Sequence, residues 1–154
     1  MESINNKLED LGIELPIIKE HSKGLIMIRQ DEKLLYCSGS GPLDSSGIPV
    51  VTGKLGRELT LQEGYQAARL CGLNILAHLQ NYLGNLERID KVIKVFGLVA
   101  SDQEFFNQPK VIHGFSDLMV DIFGENGKHA RTAIGTSVLP MNIPVEVEMI
   151  VKIK

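Results

Sequence analysis

Apolar residues in this chain recur every three or four positions in some stretches and every second position in others, and the change of period marks out its elements. Leu61, Tyr65, Ala68, Gly72, Ile75, Leu79 and Leu83 are separated by threes and fours, the spacing of a helix that buries one face. Thr60-Leu61-Gln62-Glu63 forms a capping-box pattern at its start, and Gly84 is a stop signal at its end. A second helix is predicted to begin near Pro109, whose fixed φ suits a first helical position. It turns Ile112, Phe115, Met119 and Ile122 inward and ends at Gly124. Ser3 caps a short helix running to Gly12, part of an N-terminal helical appendage over residues 1–23.

The period-two stretches predict a sheet. Gly24 to Arg29 and Lys33 to Ser38 read as a hairpin turning at Gln30-Asp31-Glu32. From Gly39 to Arg57 the chain is rich in Gly, Pro and Ser and reads as a long loop with a short extended piece at Val50 and Val51. Ile89 to Ala100 is rich in β-branched residues on both faces, as a central strand should be. Arg131 to Val138 and Val145 to Ile153 complete the set. Only five residues, Pro140 to Pro144, join these last strands, too few for a parallel crossover, so an antiparallel hairpin centred on Asn142 is expected. That register sets Arg131 on the order of 23 Å from Glu146 within one chain. The order of elements predicts a segregated α+β domain, residues 1–154, with one mixed β-sheet and two main helices on one of its faces.

The other sheet face raises a question. Val145, Val147, Met149, Val151 and Ile153 point one way, which leaves Glu146, Glu148, Ile150 and Lys152 on the opposite side. The central strand is apolar on both faces, more than two helices can cover. A homo-oligomer built on the open face answers this; a solvated sheet is the alternative.

Composition narrows the classes. The length of 154 residues lets a single domain bury roughly 68–70% of the surface its unfolded chain would expose. A net charge of -3 gives no footprint for nucleic acid. Cys37 and Cys71 have no C-x-x-C spacing, and this favours reduced thiols in a cytoplasmic protein. The acidic, periodic N-terminus does not read as a signal peptide, and no apolar run reaches membrane-spanning length. His21, His78, His113 and His129 lack ligand spacing, so neither a metal nor another cofactor is expected. Gly39-Ser40-Gly41 lacks the third glycine of a dinucleotide fingerprint, and Gly47 to Lys54 is one residue too long for a phosphate loop. Tyr65 and Tyr82 read as core or rim aromatics, and Asp117 and Asp121 as a solvated helix face.

Four stretches, LYCSGSGPLD, EGYQAARLCGLNILAHL, DKVIKVFGLVAS and ARTAIGTSVLPMNIPVEVE, together resemble the RidA/YjgF family of enamine/imine deaminases, also named endoribonucleases. The resemblance covers Leu35 to Lys154. Its most specific part is the terminal arginine followed by Leu-Pro and then Glu-x-Glu. It implies a chorismate-mutase-like fold, a homotrimer with ligand clefts between subunits, and a small carboxylate-bearing metabolite as partner; the charge argues against nucleic acid as a partner, and the lack of a long apolar run against a membrane.

The same resemblance assigns roles. Arg131 matches the family's carboxylate-binding arginine, and Glu146 its catalytic acid, placing water or shuttling a proton. Ser38 and Gly39 match a pair lining the cleft, and Ala133 a position that offers its backbone to substrate or water. His113 stands where asparagine is common and is either a cleft donor or a helix-surface residue. Ala133 stands where many members have cysteine, and LPIIKEHSKG replaces an aromatic Gly-Pro-Tyr segment. Taken alone, Arg131 could equally pair with Glu125 or Asp121 on the surface. Three functions follow: hydrolytic deamination of 2-enamino or 2-imino acids, carboxylate binding without turnover, and an endoribonuclease.

Overall fold

The computed structural model describes residues 3–18 and 23–154. Residues 1–2 and 19–22, which include His21 and part of the LPIIKEHSKG segment, lie outside the described residues. In chain order the elements are α1 (Ile4–Asp10), β1 (Ile28–Asp31), β2 (Leu34–Ser40), α2 (Leu61–Leu83), β3 (Ile89–Ala100), α3 (Gln108–Phe123), β4 (Ala130–Thr136) and β5 (Val145–Ile153). The five strands form one mixed sheet in the order β1-β2-β5-β3-β4, and only the β3–β4 pair is parallel.

The helix ends form for the reasons their residues give. The Thr60 side chain accepts from the Glu63 N–H while Glu63 returns to the Thr60 backbone, and Gly84 takes the left-handed conformation (φ 76) that closes α2. Ile112, Phe115, Met119 and Ile122 of α3 are all buried, as their spacing predicts. On α2 the buried stripe runs through Ala68, Cys71, Gly72, Ile75, Leu79 and Leu83, but Leu61 is exposed. Val95, Val99, Val145, Val147, Met149 and Val151 meet these helices and are fully or almost fully buried. The N-terminal helix is joined to the same core, because Leu8 is buried in it.

The last two strands do not form the expected hairpin. β3 lies between them, pairing with β4 on one side and β5 on the other. The link from β4 to β5 runs over residues 137–144 with a 3-10 turn at Pro140–Asn142, long enough to pass the end of β3 and enter the sheet two spacings, about 10 Å, away. The link is tied to the strand end it crosses: the Ser101 N–H donates to the Thr136 carbonyl at 3.0 Å and the Ala100 N–H to the Pro144 carbonyl at 2.8 Å. Burial explains the order. β3 and β5 are apolar enough for central places, whereas no residue of β4 is buried, which suits an edge. The first hairpin also turns later than expected, at Glu32 and Lys33, with Glu32 in the left-handed region (φ 49). Val50 and Val51 form no strand.

One buried polar side chain fixes the loop that leaves the sheet. Asn74, inside the apolar stripe of α2, donates from Nδ2 to the carbonyls of Gly41 and Leu43, both at 3.0 Å. Asn74→Leu removes both bonds and leaves two carbonyls poorly satisfied. It is expected to cost about 2–4 kcal/mol, read as a lowered denaturant midpoint at constant slope.

Candidate active site

Arg131 lies on edge strand β4 opposite Val95, so its side chain points to the helix-covered face. There α3 receives it. Nη1 lies 3.0 Å from His113 Nδ1 and 3.1 Å from Ser116 Oγ. A guanidinium only donates, so Nδ1 of His113 accepts and that neutral ring carries its proton on Nε2. Ser116 is itself held: its Oγ is 2.9 Å from His129 Nε2, and His129 Nδ1 is 2.6 Å from the Gly127 carbonyl. Burial pulls the His129 imidazole below its usual range, and the Arg131 charge adds to this against the Gly127 bond. The bonds therefore run one way, from Arg131 to Ser116 to His129 to the Gly127 carbonyl. Nη1 is saturated by these contacts, and no described residue bonds Nε or Nη2, the edge that could grip a carboxylate through two parallel bonds. Glu125 pairs instead with Lys128, and Asp121 with Arg69, so neither is the arginine's surface partner. Asp117 accepts from the Tyr65 hydroxyl at 2.8 Å rather than standing in solvent alone.

Glu146 lies opposite Leu98 on β5, on the face turned away from the helices. Its carboxylate enters a cleft of about 320 Å³ at the end of the sheet. The walls of the cleft come from α2, from the loop after β2 and from the Pro140–Asn142 turn. Burial pushes the Glu146 carboxyl above the usual carboxylate range, and the Glu148 charge adds to the shift. Gly39 makes the space for it. A Cβ at Gly39 would lie 3.1 Å from the carboxyl carbon and 3.2 Å from Oε1. Gly39→Ala is therefore expected to displace the carboxylate from the cleft with little change in the thermal midpoint, as the variant's structure and its melting would show.

The remaining predicted residues divide between these places. A bulge in β2 between Cys37 and Ser40 sets Ser38 and Gly39 together opposite one β5 position. Ser38 faces the adjoining pocket beside Glu148 and donates its hydroxyl to the Ile26 carbonyl at 2.8 Å. Ala133 follows Arg131 on the edge strand, opposite Gly97. His113 is both an exposed helix residue and a partner of Arg131.

Within one chain, then, two half-sites stand on opposite faces. Arg131 and Glu146 are offset by three residues along β3 and by two strands across it, about 14 Å between Cα atoms at normal rise and spacing. This replaces the 23 Å separation of the expected hairpin. Ser116, His129 and Asn74 were not predicted as site residues. The signals for them were His113 and Ser116 three apart on one helix face, and a lone amide inside an apolar stripe.

Residues 8–153 match the family described as "YjgF/chorismate_mutase-like, putative endoribonuclease". The chain belongs to the RidA/YjgF family. The chain is 41% identical to the protein Atu1372 of unknown function from Agrobacterium tumefaciens, with a TM-score of 0.90 over 98% of this chain and 92% of that one. A "putative endoribonuclease" from Shewanella oneidensis is 31% identical, with a TM-score of 0.92 over 99% of this chain and 100% of that one. Protein TCP17 of Trypanosoma cruzi is 37% identical over 95% of this chain and 91% of its own length. This RidA/YjgF chain has the family's chorismate-mutase-like fold. Among its described residues no helix is long and apolar enough to cross a membrane.

Proposed function

We propose that this protein hydrolyses small 2-enamino and 2-imino acids to 2-oxo acids and ammonia, in the cytoplasm, at clefts between the protomers of a homotrimer. The observation that carries this reading is the pair of half-sites. A guanidinium braced on one edge faces outward from the helix side, and a half-buried carboxylate with a raised pKa stands in a cleft at the other side. Two protomers bring such halves together where one cannot. Arg131 would hold the substrate carboxylate. Glu146 would take a proton from water as its oxygen bonds to the C=N carbon, then return that proton to the nitrogen. Glu146 would then take the carbinolamine hydroxyl proton and pass it to the nitrogen as the C=O bond forms and the C–N bond breaks, releasing ammonia. For an enamine, a protonated Glu146 would first deliver its proton to the terminal carbon and then accept one from the nitrogen, giving the imine.

The test is ammonia release from 2-imino acids generated in place by an amino-acid oxidase. The protein should accelerate release well above the spontaneous rate. No acceleration at any concentration would overturn the reading. The endoribonuclease wording carried by the family and by the Shewanella protein supplies the second reading, and RNA cleavage lost together with Arg131 in pure protein would favour it.

A further inference from the structure

We infer that the cleft beside Glu146 is a side-chain chamber that selects 2-imino and 2-enamino acids with branched or long apolar side chains over three-carbon ones. The inference rests on the deaminase reading above and adds its substrate class. At about 320 Å³ the cleft has the volume of roughly ten water molecules at liquid density, far more than a three-carbon acid displaces. Its lining is mainly apolar, with Ile18, Met27, Leu43, Met141 and Ile143 among the contributors. Two polar side chains on that wall are already engaged with backbone. Asn74 spends its amide donors on Gly41 and Leu43, and Asp44 Oδ1 accepts from the Ser46 and Ile48 N–H groups at 2.8 and 3.0 Å. Against the apolar part of the lining methyl and methylene groups gain by burial, whereas a polar substituent gives up its water at a cost.

Two further features shape the chamber. Ile18, from the segment between α1 and β1, reaches the cleft wall. Met141 is held in the left-handed region (φ 55), followed by Asn142 (φ 57). That conformation is uncommon for a methionine and disfavoured without support. The support comes from Gly53, whose N–H donates to the Asn142 carbonyl at 2.9 Å. The turn thus places a flexible apolar side chain, 55% exposed, at the cleft.

The experiment compares imines generated from leucine and from alanine, and in parallel measures by calorimetry the binding of their stable oxo acids, 4-methyl-2-oxopentanoate and pyruvate. The wild type should favour the leucine-derived compounds at least about tenfold in kcat/KM and in affinity. Met141→Asn, a residue that tolerates the left-handed backbone, should reduce both preferences to near one. Equal turnover and equal affinity in the wild type would overturn the chamber. Turnover of neither imine, with a retained preference in binding, would remove the deaminase reading and keep the chamber. Neither turnover nor binding would remove both.

Discussion

Arg131→Lys will lower kcat/KM for a 2-imino acid by roughly a hundredfold while leaving the fold intact. In the wild type, Nη1 is fixed by Ser116 and His113, so the free Nε–Nη2 edge is presented in one orientation. A lysine keeps the charge but offers a point donor on a flexible stem, and it cannot bond Ser116 and grip a carboxylate in two places. The loss of one charge-assisted bond and of the aligned geometry amounts to about 2–3 kcal/mol, which is that factor in rate. Edge strand β4 buries no residue, so melting temperature should move little. The loss should appear mainly in KM if the arginine only binds, and in kcat as well if it also orients. A lysine variant within threefold of wild type in both constants would show that no carboxylate is gripped there.

Glu146→Gln is expected to cut kcat by about 10²–10⁴-fold, the usual contribution of a positioned acid or base, and at the same time to raise the melting temperature slightly. The second effect follows from the sign of the shift. Burial and Glu148 raise the Glu146 pKa in the folded protein, so the native state holds this proton more tightly than the unfolded chain does. Its cost to stability is absent below the ordinary carboxylate pKa, grows as pH rises through the window up to the raised value, and is present in full above that value. Glutamine removes that cost. Because the side chain is only half-buried, solvent screening keeps the gain small. Wild-type activity should likewise fall on the acid side at a pH above the ordinary carboxylate range, since the base must be ionised. A glutamine variant with unchanged kcat, or a wild-type acid limb at the ordinary carboxylate value, would take Glu146 out of the proton-transfer role.

Local signals in the sequence carried through to the structure wherever a single element contained the whole cause. The capping box at Thr60 and Glu63, the stop at Gly84 and the inward faces of α3 and β5 each depend on residues a few positions apart. Strand order does not. The short link after β4 bounds how far the chain can travel, and both a hairpin and a step across β3 lie within its reach. Relative burial decides between them, and the weakly apolar ARTAIGT strand takes the edge. The hairpin turn at Glu32 and Lys33 was hidden for another reason, because no glycine or asparagine occupies its left-handed position. At the site, Arg131, Glu146 and Gly39 were legible through the family pattern. Ser116 and His129 were not, because their partnership exists only once α3 lies over β4 and the Gly127 carbonyl fixes the His129 ring.

The placement of Arg131 and Glu146 on opposite faces of one sheet makes the shared site the central claim. Mixing subunits tests it directly. Arg131→Ala and Glu146→Gln proteins, each inactive alone, are unfolded together at equal amounts and refolded, and ammonia release from a 2-imino acid is measured. If each site takes its arginine from one protomer of a cyclic trimer and its glutamate from the next, random assembly restores both groups in roughly a quarter of the sites, and activity should return to about that fraction of wild type. No recovery in mixed trimers would place both residues' functions within a single chain and contradict the account.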